Sequence, residues 1–169
     1  SDSVAILVHP AAIADAGPDN NVCPNASATL HGSGGVTYQW SPALGLSSTT
    51  DSVVIAGPSD LTTYELLVTD ANGCSDRDTV IVDVETELQA AFTVGPIEGT
   101  APAFIEFENT SQAARYYVWD FGDGISDSLF SPNHLYTDSG TYRVVLYAIS
   151  AGGCRDTAVY EFIHLDQHV

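Results

Sequence analysis

The 169-residue chain carries 22 Asp and Glu residues against four basic residues, which gives a formal net charge of −18. All four basic residues are arginines: Arg77, Arg115, Arg143 and Arg155. Nucleic acids and anionic membrane surfaces attract clustered cations, so this balance argues against both as partners. No run approaches the roughly 20 apolar residues of a membrane-spanning helix. The acidity favours solubility and mutual repulsion between neighbouring proteins.

Ser1 to Pro10 opens the chain with a nearly continuous apolar run, which predicts an ordered β-strand covered on both faces. The run is similar to segments 77–84 and 155–163, so we interpret it as the closing strand of a preceding repeat. Its partner is the edge of the first module, a neighbouring domain, or another copy of the chain by strand addition; we favour the last two. The chain contains no Met and opens with no basic-then-apolar signal sequence, so we expect a piece of a longer precursor or a processed product.

Residues 11–86 form the first predicted module. Its β-prone run 38–40 ends in Trp40, and a second patterned strand follows at 63–68. Short β-rich runs alternate with Gly, Pro, Asn, Asp and Ser clusters, and no stretch keeps a helical apolar period. Cys23 precedes the first strongly patterned strand and Cys74 lies in a late turn. A sandwich can bring these positions together, so we predict a Cys23–Cys74 disulfide, and the loop it closes would contribute about 4 kcal/mol.

Residues 87–169 form the second predicted module, and a short connection near 84–88 without a Gly/Ser-rich tether predicts a semi-rigid pair. Its strand 116–119 ends in Trp119, and the residues Asp120-Phe121-Gly122-Asp123-Gly124 then supply a tight turn. Alternation over 141–146 predicts a half-buried strand. The spacing from Trp40 to Tyr64 and from Trp119 to Tyr142 differs by one position, which indicates homologous modules. We therefore align 63–68 with 141–146 and 77–80 with 155–158, and we expect Trp40, Tyr64, Trp119 and Tyr142 in the cores.

The second module resembles the polycystic-kidney-disease (PKD) domain, on the hexapeptide 119–124, the Pro-Asn-His turn 132–134 and the Gly-Thr-Tyr strand start 140–142. The first module is similar to divergent PKD-like repeats, on Ala-Gly-Pro-Asp at 16–19 and Asn-Gly-Cys at 72–74. Such repeats recur in long surface proteins of gliding bacteria that use type IX secretion. The resemblance implies an all-β chain of two tandem immunoglobulin-like sandwiches, located outside the cell and without a catalytic site of their own.

No nucleophile elbow, zinc-protease motif, P-loop or dinucleotide fingerprint is present, and we predict that the chain is not an enzyme. Asp120 and Asp123 are interpreted as turn residues, and His134 as a packing or turn residue. Cys154 has no upstream cysteine in its own module, so we expect it to be unpaired. Three cysteines without metal-binding spacing make zinc improbable.

No cofactor is required, although the resemblance and the acidity suggest calcium at a turn or at the domain junction. Calcium needs about six to eight oxygens, so several acidic side chains would have to converge. The candidates are Asp15, Asp19, Asp70, Asp83, Glu85, Asp120 and Asp123.

Five Asp-Ser/Thr-apolar triplets resemble bacterial O-glycosylation acceptors, although three of them open similar closing strands and count nearly as one ancestral sequence. Their acceptor residues are Ser3, Ser52, Thr79, Ser128 and Thr157. Asn25 and Asn109 also lie in N-linked sequons.

The leading functional hypothesis is a non-catalytic, extracellular repeat segment of a large secreted surface protein. It would act as a semi-rigid spacer and would contact proteins or glycans, with neighbouring repeats, other copies of the chain, surface proteins or polysaccharides as partners. Two alternatives are an accessory module of a secreted hydrolase and a self-assembling fibre subunit that uses its N-terminal strand. Flanking sequence would distinguish these possibilities.

Overall fold

The structure, a computed structural model, describes residues 11–167, so the predicted strand at 1–10 lies outside the described residues. The chain divides into two compact units; the first ends at Glu85 and the second begins at Thr86. No helix in the described range is long and apolar enough to cross a membrane.

The first unit contains six strands among its described residues. They are β1 (Asn20–Val22), β2 (Ala28–His31), β3 (Thr37–Ser41), β4 (Val53–Ala56), β5 (Thr62–Thr69) and β6 (Ser75–Val84). One sheet has the order β1-β6-β5-β3 and the other pairs β2 with β4. Strand β1 runs parallel to the end of β6, with Val22 opposite Val84, and the other pairs are antiparallel.

Strict alternation explains why the first unit folds as a sandwich. In β5, Tyr64, Leu66 and Val68 are fully buried while the residues between them are half-exposed, because successive side chains of a strand point to opposite faces. These residues pack with Trp40 and with Leu30 of the opposite sheet in one core cluster.

The second unit contains eight strands among its described residues. They are β7 (Phe92–Gly95), β8 (Glu98–Thr100), β9 (Ala103–Asn109), β10 (Tyr116–Asp120), β11 (Ser126–Asp127), β12 (Asn133–Tyr136), β13 (Gly140–Ile149) and β14 (Arg155–Asp166). One sheet has the order β11-β10-β13-β14-β8 and the other the order β12-β9-β7. The two inner faces share a core built around Trp119, Phe107, Ile105, Leu146 and Ile163.

The strand registers correct the predicted alignment of the two units. Trp40 lies opposite Leu66 and Trp119 lies opposite Leu146, so Leu66 corresponds to Leu146, whereas the sequence alignment placed Leu66 on Val144. A bulge between Tyr142 and Val144 accompanies this difference. The error is two residues, and a shift of two leaves each side chain on its predicted face, which is why the alternation did not reveal it.

The closing strands show the same offset. Cys74 and Cys154 each directly precede the closing strand, so Asp156 corresponds to Asp76 in the hairpins and not to Asp78, as the sequence alignment had it.

Candidate functional site

The hairpin after β10 brings Asp123 and His134 together. Oδ2 of Asp123 lies 2.7 Å from Nε2 of His134, and Oδ1 accepts a hydrogen bond of 2.9 Å from the backbone N–H of Ile125. In the same turn, Oδ1 of Asp120 accepts a hydrogen bond of 3.0 Å from the N–H of Gly122. Both carboxylates therefore hold the hairpin, and they do not form a carboxylate pair.

Aromatic rings enclose His134. Its imidazole stacks on Phe121 at 4.1 Å between ring centroids, and Tyr136 packs against it edge-on at 4.6 Å. The residue is 7% exposed. The hydroxyl of Tyr136 donates a hydrogen bond of 2.8 Å to the carbonyl oxygen of Phe121. Burial, followed by the negative charge of Asp123, raises the pKa of the Tyr136 hydroxyl. The cluster fastens β12 to the hairpin and leaves no open face of the imidazole for a substrate.

The two tryptophans have the same role in each unit. Nε1 of Trp119 donates a hydrogen bond of 2.9 Å to the backbone carbonyl oxygen of Leu129. Nε1 of Trp40 donates one of the same length to the backbone carbonyl oxygen of Asp51. Both rings are almost completely buried. A buried ring cannot stack on a sugar, so neither tryptophan is a glycan platform.

The tyrosines that the sequence aligned are not equivalent. Tyr64 is fully buried, and its hydroxyl donates to the carbonyl oxygen of Leu44 at 2.8 Å. Tyr142 is half-buried at the edge of the second core, and its hydroxyl donates a hydrogen bond of 2.7 Å to the backbone carbonyl oxygen of Asp138, just before β13. In the second unit, the fully buried tyrosine that binds the loop after the tryptophan is Tyr136, on a different strand.

The closing strands hold the opening segments through aspartates. Oδ2 of Asp76 accepts from the N–H of Ala14 at 2.9 Å, and Oδ2 of Asp156 accepts from the N–H of Ala90 at 2.8 Å. The hydrogen bonds from the backbone of Ala14 and then of Arg77 lower the pKa of the Asp76 carboxyl. Sequence reasoning missed these contacts because it used segments 77–80 and 155–158 only to align the modules and to find sugar acceptors, and it did not consider Asp76. The position of Asp76 and Asp156 as the second residue of each closing strand was the available signal.

The acidic residues predicted to bind calcium do not converge. Asp15 accepts a hydrogen bond from the backbone N–H of Gly17, and Asp19 accepts one from that of Ile81. Asp70 accepts two, from the backbone N–H groups of Asn72 and Cys74. Asp120 and Asp123 hold the hairpin of the second unit. Within residues 11–167, no group of three or more His, Cys, Asp or Glu side chains is placed to hold a metal ion. The remaining two candidates, Asp83 and Glu85, lie near the end of β6.

The predicted Cys23–Cys74 disulfide is wrong. Cys74 carries a free thiol, whereas Cys23 and Cys154 are disulfide-bonded, so the prediction that Cys154 is unpaired is wrong as well. The register explains the error. Cys23 follows Val22, which lies opposite Val84 at the end of β6, whereas Cys74 directly precedes the start of this ten-residue strand. At about 3.3 Å per residue the two positions are about 30 Å apart, far beyond the roughly 7 Å that a disulfide spans.

The predicted acceptors for sugars differ in exposure. Ser3 lies outside the described residues, Ser52 is half-buried, and Thr79, Ser128 and Thr157 are exposed. Asn109 is buried in β9, where its N–H donates to Ser131, and this sequon is not accessible in the folded unit. Modification of the exposed positions stays a prediction.

Comparisons with known proteins agree with this architecture. Residues 96–163, less than half of the chain, match the PKD domain family. The I-band fragment I67–I69 of titin aligns with 95% of this chain and 67% of its own, with a TM-score of 0.54 at 10% identity. A likeness of this kind shows the fold alone. The predicted all-β fold of two immunoglobulin-like sandwiches is confirmed.

Two other solved structures align with about half of the chain. The PKD1 domain of the Vibrio cholerae metalloprotease PrtV is 27% identical, with 48% of this chain and 99% of that domain covered and a TM-score of 0.43. A carbohydrate-binding-module structure of the β-sandwich superfamily is 26% identical, with 49% of this chain and 36% of its own covered and a TM-score of 0.46. A search of curated proteins gives no significant match.

Proposed function

We propose that the chain is a non-catalytic, extracellular structural and contact segment of a larger surface protein. The observation that carries this proposal is the PKD match over residues 96–163 on a chain built of two immunoglobulin-like sandwiches. PKD and immunoglobulin-like domains typically serve as non-catalytic modules of extracellular proteins. The disulfide-bonded state of Cys23 and Cys154 suits an oxidising compartment.

The chemistry of the second unit supports a structural role. A catalytic His-Asp pair needs a substrate within hydrogen-bond reach of the free imidazole nitrogen. Here Phe121 and Tyr136 enclose His134, and Asp123 holds both His134 and the turn at Ile125. The groups that most resemble catalytic machinery are therefore used to stabilise a hairpin.

The composition of the connection between the units supports a spacer role. Strand β6 ends at Val84, and Leu88 is already buried, so Glu85, Thr86 and Glu87 are the connecting residues. These residues include no Gly, and a short connection of this composition limits flexibility. We propose that the pair acts as a semi-rigid spacer in a surface protein of the gliding, type IX-secreting group that its motifs resemble.

The location is the testable part of this proposal. In the organism that encodes the chain, antibodies raised against residues 11–167 should label intact cells or precipitate the protein from the medium. Labelling that requires permeabilised cells would overturn the proposal. A periplasmic marker detected in the same samples controls for leakage from damaged cells.

A further inference from the structure

The outer face of the β10-β13-β14 sheet in the second unit is apolar, although the fold does not require this. Val118 lies opposite Tyr147, and Val145 lies opposite Val159, on the side of the sheet that points away from the core. Tyr116, Val118, Tyr147 and Val159 remain 38–55% exposed. Exposed apolar side chains that are contiguous on one sheet face mark an interaction surface more often than isolated ones do.

The first unit provides an internal comparison for this face. Thr37, Gln39 and Thr79 lie at the positions of Tyr116, Val118 and Val159, and Glu65 lies at the position of Val145. Leu67, at the position of Tyr147, is the one apolar residue in this comparison. Both units fold with the same strand order at this sheet, so the apolar character of the second face is not a requirement of the sandwich.

Three of the four arginines of the chain border this apolar face. The guanidinium of Arg115 lies 5.9 Å above the ring of Tyr116, and Arg155 lies beside Ile149 at the end of the same row. Nε of Arg143 lies 3.5 Å from Oε2 of Glu161. Neither Arg115 nor Arg155 forms an ion pair in the described part of the chain. We name this surface the arginine face: Tyr116, Val118, Tyr147, Val159, Arg115, Arg143 and Arg155.

The opposite sheet of the same unit carries a surface of complementary charge. Phe104 is 67% exposed and lies opposite Leu135, which is 38% exposed. Glu106 and Glu108 point outward along the same strand, β9, and the groove around them includes Thr93 and Pro96. We name this surface the glutamate face: Phe104, Leu135, Glu106 and Glu108. The first unit has Thr29 and His31 at the positions of Phe104 and Glu106, so it lacks this pair of carboxylates.

We propose that the arginine face of one copy of the chain binds the glutamate face of a second copy. The arginine face combines an apolar centre with three arginines, of which Arg115 and Arg155 have no ion-pair partner among the described residues, and it also carries Asp120 and Glu161. The glutamate face combines an apolar centre with two carboxylates. The arginines are concentrated on one face of a chain with net charge −18, so they are suited to an acidic surface such as the chain itself presents.

The two surfaces lie on opposite outer faces of one sandwich, so the contact is heterologous and can continue from copy to copy. The inference rests on the proposed function, because it identifies the lateral contacts of a surface array.

Sedimentation velocity of the whole purified chain over a range of concentrations tests this contact. The wild type should form species larger than a dimer at low salt and dissociate as salt screens the charges. Substituting Arg115→Glu with Arg155→Glu should lower the association constant at least tenfold, and so should Glu106→Arg with Glu108→Arg. An equimolar mixture of the two charge-reversed proteins should associate again, because each then meets a complementary face.

Matched controls separate this contact from misfolding and from general charge effects. Arg77→Glu reverses a charge on the corresponding sheet of the first unit and should leave association unchanged. Near-ultraviolet circular dichroism should show that every variant keeps its tryptophan environment. A glutamate-face variant that associates like the wild type would overturn the proposal, and so would a wild type that stays monomeric at all concentrations. A monomeric chain that is nevertheless found at the cell surface overturns this contact and leaves the proposed function intact.

Discussion

Nε2 of His134, in β12, lies 2.7 Å from Oδ2 of Asp123, in the turn that follows β10. The side chains are only 8% and 18% exposed, so the contact is largely shielded from water. A buried polar group whose partner is removed costs more than the hydrogen bond itself contributes. The stability of the second unit therefore depends on having both Asp123 and His134 at these positions.

Asp123→Ala should destabilise the second unit by about 2 kcal/mol, because His134 and the N–H of Ile125 both lose their acceptor. Asp120→Ala is the matched control, since it removes one exposed hydrogen bond in the same turn and should cost less than about 1 kcal/mol. Urea unfolding measures both, with hydrogen exchange of peptides from β9 and β10 reporting the second unit. Equal losses for the two variants would contradict the role assigned to the buried pair.

The two glycines of the hairpin should respond differently to alanine. Both have positive φ, 80° at Gly122 and 90° at Gly124. A Cβ at Gly122 would lie 2.5 Å from the backbone oxygen of Arg143, whereas nothing lies within 4 Å of one at Gly124. Gly124→Ala should cost about 1–2 kcal/mol from backbone strain alone, and Gly122→Ala should cost clearly more because β13 must also move. Thermal unfolding of the two variants side by side measures the difference; similar melting temperatures would contradict it.

The stability of the first unit should depend on pH through Asp76. Hydrogen bonds from Ala14 and Arg77 lower the folded-state pKa of its carboxyl below its ordinary value of 3.8. A lowered pKa contributes stability above the unfolded-state value, and this contribution is lost as the pH falls through the folded-state value. Asp76→Ala should therefore reduce stability at neutral pH and flatten the acid limb of the stability profile below about pH 4.

Asp83→Ala is the control for the acid limb. Asp83 is exposed on the same strand, and its side chain has no hydrogen bond among the described residues. Its replacement should leave the profile of melting temperature against pH unchanged. An acid limb that is as steep in Asp76→Ala as in the wild type would show that another carboxyl is responsible.

The second unit should lose stability at alkaline pH through Tyr136. Burial, followed by the charge of Asp123, raises the pKa of its hydroxyl. A raised pKa contributes stability that is present below the unfolded-state value of about 10 and is lost as the pH rises above it. Tyr136→Phe should cost about 1 kcal/mol at neutral pH, because the carbonyl of Phe121 loses its donor, but the variant should lose less stability between pH 10 and 12.

Tyr147→Phe serves as the control for this alkaline effect, because Tyr147 lies on the outer face and is 41% exposed. It should unfold like the wild type across the same range. Half-buried Tyr142 also has a raised pKa, so some alkaline sensitivity should persist in Tyr136→Phe. A profile for Tyr136→Phe that is parallel to the wild type would contradict the assignment.

Local pattern predicted the fold well and the long-range contacts poorly. Alternation places Tyr64, Leu66 and Val68 on one face, and it does so whether or not the alignment of the units is shifted by two residues. The pairing of Cys23 depends instead on β1 lying parallel to the far end of β6, which no local pattern encodes. The contact between His134 and Asp123 likewise depends on the pairing of β12 with β9, which places His134 beside the turn that contains Asp123.

The free thiol of Cys74 should react with a maleimide in the folded, unreduced protein. Cys74 is half-buried in the β5–β6 turn, where its N–H donates to Asp70 and its carbonyl accepts from the backbone of the same residue. Because these contacts involve the backbone, Cys74→Ser should keep the turn and change the melting temperature little. Mass spectrometry should find one label per chain, located on the peptide that contains Cys74, and none in Cys74→Ser. Cys23 and Cys154 should become reactive only after reduction, since both are disulfide-bonded. A non-reduced peptide that links Cys23 to Cys74 would instead restore the pairing expected from the sequence and contradict the β1–β6 register that separates the two cysteines.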